Sequence, residues 1–355
     1  YFTGYHYSQI GAINLTWERA KKHNLGVDLA LLNNKFSLTV DFYKDTRDQI
    51  FMKRQYLPQT VGVTSQPWAN VGKMESRGID GNFTYHEKFG QVDLTVRGNL
   101  TYTQNEIIEY DEQMNSYAYQ MTEGFRYNQA RGLIALGLFK DYDDIRNSPQ
   151  QTFGDYMPGD IKYKDVNGDG VISDLDVVPI GSTSTPNLIY GLGLSASWKG
   201  IDFSVHFQGA GQSAYFINGP AVHAFSNGEW GNILSDWAVP GNRWISKEIS
   251  GDPATENPNA KYPRLSYGGN SNNYRNSTFW LRDGSYLRLK TLEVGYTFPQ
   301  KWTNKLRMNK ARLYFLGNNL AVWDSLELWD PELASGDGMK YPLAKSFTLG
   351  LNVTF

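Results

Sequence analysis

The last ten residues constrain the chain most. Phe347, Leu349, Leu351, Val353 and Phe355 alternate with Ser346, Thr348, Gly350, Asn352 and Thr354 without an exception, and a side-chain period of two belongs to a strand with one apolar and one polar face. The pattern recurs at Val92, Leu94, Val96, Leu100 and Tyr102 between Asp93, Thr95, Arg97, Asn99, Thr101 and Thr103. That run is long enough for a tilted membrane strand, which needs about 9 to 11 residues. The longest apolar run, Leu133 to Phe139, has seven residues, too few for a spanning helix. If the chain crosses a membrane it does so as part of a closed barrel, the other structure that satisfies its own backbone in lipid.

Hairpins follow from the same pattern. Leu25 to Leu31 turns at Asn33-Asn34 into Phe36 to Phe42, Ile79 to Tyr85 pairs with the Val92 run across Glu87 to Gly90, and Leu188 to Trp198 turns at Lys199-Gly200 into Ile201 to Phe207. Further strands fit Ser285 to Phe298 and Ala311 to Val322. In the first the apolar phase slips near Lys290-Thr291, which predicts a β-bulge. Helical promise is limited to Trp17 through Lys22 and Asp141 through Arg146. About nine strands alternate between short turns and long segments, the long loops falling at about 105–184 and 211–278, and this asymmetry is the signature of an outer-membrane barrel. Bacterial single-chain barrels have even strand counts, and the sequence opens at Tyr1 with neither an initiator Met nor a signal sequence. Residues 1–355 are therefore expected to be part of a larger antiparallel barrel whose remaining strands come from further sequence or another chain; the resemblance given below implies that they are its C-terminal segment.

Several function classes drop out. The 34 basic and 36 acidic residues nearly cancel, leaving no electrostatic footprint for nucleic acid. The chain has no cysteine, hence no disulfide scaffold. His6, His23, His86, His206 and His223 are scattered, with no HExxH pair and no GxSxG elbow, so no catalytic site is expected. Gly191-Leu-Gly193-Leu-Ser-Ala196 fits a loose dinucleotide fingerprint, but strand alternation runs through it and its glycines read as small lumen-facing residues. Of five sequons, Asn82, Asn99 and Asn352 lie on strands, where alternation generates the pattern by chance.

Two groups of residues carry chemistry. From Asp165 to Asp176 the order Asp165, Asn167, Asp169, Gly170, Val171 and Asp176 matches positions 1, 3, 5, 6, 7 and 12 of an EF-hand calcium loop. Asp in place of Glu at position 12 weakens bidentate closure, so the expectation is a calcium staple in a loop, without flanking helices to switch. The alternative is a surface cluster of Asx turns. Aromatic residues make up 14% of the chain and divide by place. Tyr102, Tyr190, Trp198, Tyr296 and Phe355, near strand ends, suit interfacial girdles. Trp68, Trp230, Trp237, Trp244 and Trp329 lie in loops, where they would stack on cargo, pack against a partner or build the loops' own cores.

The chain resembles the SusC/RagA-like TonB-dependent transporters of the bacterial outer membrane. The resemblance is carried by NLTWERAKKHNLGVDLALLNNKFSLTVDFY from Asn14, NVGKMESRGIDGNFTY from Asn70, GDIKYKDVNGDGVISDLDVVPIGSTSTPNLIYG from Gly159, YLRLKTLEVGYTFP from Tyr286 and the terminal SFTLGLNVTF. It implies a 22-stranded barrel with an N-terminal plug that is not in this sequence. It further implies import of oligosaccharides or peptides, energised by the TonB complex and assisted by a SusD-like surface lipoprotein. Phe355 would end the strand read by the barrel-assembly machinery. The residues by themselves also leave open a secreted, calcium-stapled carbohydrate-binding β-protein, and a passive porin.

Overall fold

The computed structural model describes residues 10–12, 14–54, 57, 65–227 and 233–355. Nine strands form one antiparallel sheet in chain order: β1 Arg19–Leu31, β2 Phe36–Lys53, β3 Trp68–Phe89, β4 Val92–Tyr110, β5 Leu188–Trp198, β6 Ile201–Gly211, β7 Tyr286–Thr297, β8 Lys310–Asp324 and β9 Ser346–Thr354. Among the described residues β1 and β9 each pair on one side only, so the sheet is an open arc. Sequential neighbours with no crossover are what an up-and-down barrel wall requires.

The register aligns the apolar residues strand after strand. Leu29 faces Leu38, which faces Phe83, which faces Gly98, and the row continues through Leu192, Phe207 and Leu289 to Ala321. Leu25, Leu29, Leu100, Leu192, Ile201, Phe315 and Leu349 on this face are exposed. Exposed apolar side chains on one face of the sheet, with nothing packed on them among the described residues, would cost a water-soluble protein dearly; in hydrocarbon they are the expected surface. The opposite face carries Asp28, Thr39, Asp80, Asn99, Arg97, His206, Asp202 and Arg312. There Asn24 and Thr39 bond to Asp41 and Asp28, and Arg312 is bound by Asp202 and Glu293.

The turns are shortest at one edge. β1–β2 turns through Leu32, Asn33 and Asn34, all with φ between 55° and 66°. β5–β6 turns at Lys199 (φ 48°) and Gly200 (φ 89°), the left-handed pair a two-residue hairpin needs. β3–β4 turns at Gly90-Gln91 alone, because Phe89 pairs with Val92. The turn expected at Glu87 to Gly90 is thus mostly strand, held by Lys35–Glu87 (2.8 Å) and Lys88–Asp93 (3.4 Å). A second correction concerns Trp17 through Lys22. Its helix-forming residues enter β1 at Arg19, because pairing with β2 sets Arg19 and Lys21 3.1 and 3.5 Å from Asp48. The bulge expected at Lys290-Thr291 is present: the β7–β8 register shifts between Leu289 and Thr291, which keeps Leu287, Leu289, Leu292 and Val294 on one face. The helix expected at Asp141 through Arg146 is also present, over Tyr142–Arg146, with Asp141 capping the Asp144 amide.

At the other edge the described residues of the long segments 111–187 and 212–285 fold together into a body with its own core. Four small two-stranded pairings knit it, joining Gln129–Gly132 to Val178–Thr183, Ala135–Leu138 to Ile161–Tyr163, Gln150–Gln151 to Val171–Ile172, and Ala214–Phe216 to Leu281–Asp283. Leu133, Ile161, Tyr163, Trp237, Tyr262 and Trp280 are buried at its centre.

Candidate lumen face and loop mouth

Two surfaces qualify as functional: the polar face of the sheet and the loop body above it. On the polar face, β3 to β6 line a hollow of about 430 Å³. Gly191, Gly193 and Ser195 of β5 keep its floor low, while Asn82, Arg97, Asn99 and His206 rise around it. Placement follows from the period of two: Gly191 pairs with Asn99, Gly193 with Arg97 and His206, and Ser195 with Ser204. The glycines read as lumen-facing are therefore on the polar side, and β5 runs straight through them, as alternation required. Arg97 is exposed and has no ion pair among the described residues, so it offers a cation and a fork of donors at this face. His206, scattered in the sequence, belongs to this hollow because strand pairing carries it there.

The loop body is built to hold its shape. Asp160 is fully buried and accepts from Asn270 and Asn273 (3.1 and 2.8 Å) and from the Met157 amide (2.9 Å), with Arg264 at 2.9 Å. Burial holds its carboxyl above the usual range, and Arg264 opposes that rise. Gln151 bridges the Ile161 carbonyl and Asn272, and Asn272 also donates to Ile161. Such a satisfied network fixes one arrangement of two loops that are over a hundred residues apart in sequence. His223 stacks on Tyr274 at 4.1 Å; burial pushes its imidazole down to about 4, and its Nε2 has no hydrogen-bond partner among the described residues. A third loop, between β8 and β9, is tied to the wall by Arg288, which is bound to Asp330 and Glu332, with Lys290 from the bulge 3.6 Å from Glu332.

The loop tryptophans separate. Trp237 is 1% exposed and stacks on Tyr262 at 4.5 Å, and Trp244 is 6% exposed. Trp329 packs against the same core and donates its indole N–H to the Ser335 carbonyl. Trp237 and Trp244 are spent on the loop core, and Trp329 is half-buried against it. Trp68 opens β3, stacked on Phe51 at 5.1 Å and 36% exposed, and it can offer an edge or face to a ligand. Trp230 lies outside the described residues, as does His6.

In the loop 165–176 the acidic side chains meet backbone amides. Asp165 accepts from Gly168 and Gly170 (2.7 and 2.9 Å), Asn167 from Asp169 (3.0 Å), and Asp169 from Val171 (2.8 Å). Asp176, fully buried, accepts from Val166 and Ser173 (both 2.8 Å) and closes a capping box with Ser173. Among the described residues no three His, Asp or Glu side chains converge as a metal cage. Phe355 ends the chain at the short-turn edge, just beyond the pairing of Thr354 with Lys310, and is exposed.

A family model described as TonB-dependent receptor-like, beta-barrel, matches residues 1–320. TonB-dependent receptor P26 of Formosa agariphila is 29% identical over 96% of this chain and 35% of its own length. TonB-dependent receptor SusC of Bacteroides thetaiotaomicron is 23% identical over 96% of the chain and 32% of its own. A solved structure titled as the RagAB peptide transporter superposes with a TM-score of 0.69 at 23% identity, covering 96% of this chain and 36% of that one. The chain spans about a third of the length of these relatives.

Proposed function

Because the chain belongs to the TonB-dependent receptor family, matching its β-barrel model over residues 1–320, we propose that it is the C-terminal wall and mouth of an outer-membrane importer of oligosaccharides or peptides. The observation that carries this is the two-faced sheet: an exposed apolar face, a polar face on which Arg97 has no ion pair among the described residues, short turns at one edge and a self-cored loop body at the other. The apolar face weighs against a secreted, water-soluble carbohydrate-binding protein. The likeness to a structure titled as a peptide transporter supports peptide cargo, and the family itself supports coupling to TonB through sequence outside this chain; oligosaccharide cargo and a SusD-like lipoprotein at the loop body are carried by the sequence resemblance alone.

The test is uptake of fluorescent peptides and of fluorescent oligosaccharides by cells with and without the intact gene, each with and without a protonophore. Gene-dependent, protonophore-sensitive uptake of one class supports the reading. Gene-dependent uptake indifferent to protonophore makes the protein a passive porin. No gene-dependent uptake of either class overturns the import proposal.

Calcium at Asp165, Asn167, Asp169, the Val171 carbonyl and Asp176 is a separate proposal. The ligand spacing supports it, and the amides leave lone pairs on these oxygens; the lack of a converged acidic cage weighs against it. A rise in loop-body unfolding temperature with calcium and not magnesium would support the site. Identical unfolding in calcium and chelator would retire it.

A further inference from the structure

The turn between β7 and β8, residues 298–309, differs from the other short turns in charge and in surface. It carries Lys301, Lys305 and Arg307, Lys310 follows at the start of β8, and no acidic residue occurs from Gly295 to Trp323. At the β1–β2 and β3–β4 turns lysines are neutralised within the chain, Lys35 by Glu87 and Lys88 by Asp93, whereas Lys199 at the adjoining β5–β6 turn has no ion pair among the described residues. Lys301, Lys305, Arg307 and Lys310 are exposed and have no ion pair among the described residues. Arg312, the next cation, points to the polar face and is bound by Asp202 and Glu293.

The same turn extends the apolar face. Tyr296 lies on that face, paired with Ile201 and Leu313. Phe298 meets Tyr296 edge-on at 5.3 Å, and Trp302 meets Phe298 at 6.3 Å. Trp302 and Leu306 are 56% and 68% exposed. Trp198, at the adjoining turn, is also exposed and has the Lys199 ammonium 5.2 Å above it; the Thr297 amide bonds to Gly200 and ties the two turns together. The turn is held in place by short helices at Gln300–Thr303 and Asn304–Leu306, with Thr303 buried beneath them.

We infer that this turn is a headgroup site for anionic phospholipid at the short-turn rim of the barrel, with Trp302 and Leu306 in the acyl boundary and Lys301, Lys305, Arg307 and Lys310 on the phosphate and its neighbours. Exposed aromatic and aliphatic side chains continuous with a lipid-facing band, flanked only by uncompensated cations, fit an interface of that chemistry. An acidic protein would match the charge but would not explain why the aromatic ladder runs on from the apolar face. The inference rests on the barrel reading above.

The test uses the full-length receptor in nanodiscs containing phosphatidylethanolamine and phosphatidylglycerol. Native mass spectrometry counts retained lipids for the wild type and for the combined Lys301→Gln, Lys305→Gln, Arg307→Gln and Lys310→Gln variant. Each cation near a headgroup is worth about fivefold in affinity, so the variant should lose its retained phosphatidylglycerol and keep phosphatidylethanolamine unchanged. In parallel, brominated phosphatidylglycerol should quench the emission that Trp302→Phe removes. Equal phosphatidylglycerol retention in both proteins, or an unquenched Trp302 in a receptor whose other tryptophans are quenched, overturns the headgroup site. Absence of quenching at every tryptophan overturns the membrane reading itself.

Discussion

Leu192 and Ser195 lie on opposite faces of β5, and replacing each by Arg separates a lipid-facing wall from a solvated one. Leu192 is six residues before Trp198, which marks the short-turn rim. A strand rises ~3.4 Å per residue and tilts ~40° in such barrels, which puts Leu192 ~16 Å from that rim. In an apolar band ~25 Å tall this is close to the middle. Arginine there should cost about 2 to 4 kcal/mol. Ser195→Arg enters the polar hollow and should cost less than about 0.5 kcal/mol. Leu94 supplies an internal gradient: it pairs with Ala196, near the rim, so Leu94→Arg should cost only about 0 to 1 kcal/mol. The assay is reversible denaturant unfolding of the full-length protein in lipid vesicles. Equal costs at Leu192 and Ser195, or a greater cost at Leu94 than at Leu192, would refute the assignment of faces.

Three further predictions concern the loops. His223 has a folded-state value lowered to about 4 from 6.5, so it is neutral in the fold; its contribution is full above pH 6.5 and is lost as pH falls toward 4, by about 3 kcal/mol in all. Hydrogen exchange at Ile217 and Val222 should accelerate across that window, and His223→Phe should flatten the dependence. Gly159 has φ 87° and an added Cβ would lie 2.4 Å from the Trp244 ring, so Gly159→Ala should destabilise the loop body by about 1 to 3 kcal/mol and expose it to limited proteolysis. Arg288→Met strips Asp330 and Glu332 of their buried partner and should release the β8–β9 loop at a cost of about 1.5 to 3 kcal/mol, seen as protease cleavage within residues 325–345.

The wall of the molecule was legible because a period of two survives any register that keeps one face in lipid. The alternation placed the hairpin turns at Asn33-Asn34 and Lys199-Gly200, and a single phase slip at Lys290 gave away the bulge. Where propensity and pairing conflict, pairing decides, which is why Arg19 to Lys22 is strand: its cations are opposite Asp48 and Asp45. The loop body was not legible. Its core joins Leu133, Trp237, Tyr262 and Trp280, residues with no common period, and its polar network joins Gln151 and Asp160 to Asn270, Asn272 and Asn273 across more than a hundred residues. Tryptophans in irregular sequence look alike whether they meet a ligand or one another; burial divides Trp237 and Trp244 from Trp68. The cation cluster at Lys301 to Lys310 is readable as composition, but its meaning depends on the aromatic ladder from Tyr296 to Trp302, which only the fold assembles.

The central claim is that the short turns and the loop body lie on opposite sides of the outer membrane. Residues 1–355 contain no cysteine, so in a full-length receptor with any other cysteine replaced, single substitutions at Ile249 in the loop body and Gln91 in the β3–β4 turn give clean labels, both at exposed positions. A membrane-impermeant maleimide applied to intact cells should label Ile249→Cys at once, and Gln91→Cys only after the outer membrane is permeabilised. Equal labelling of the two in intact cells would contradict the account.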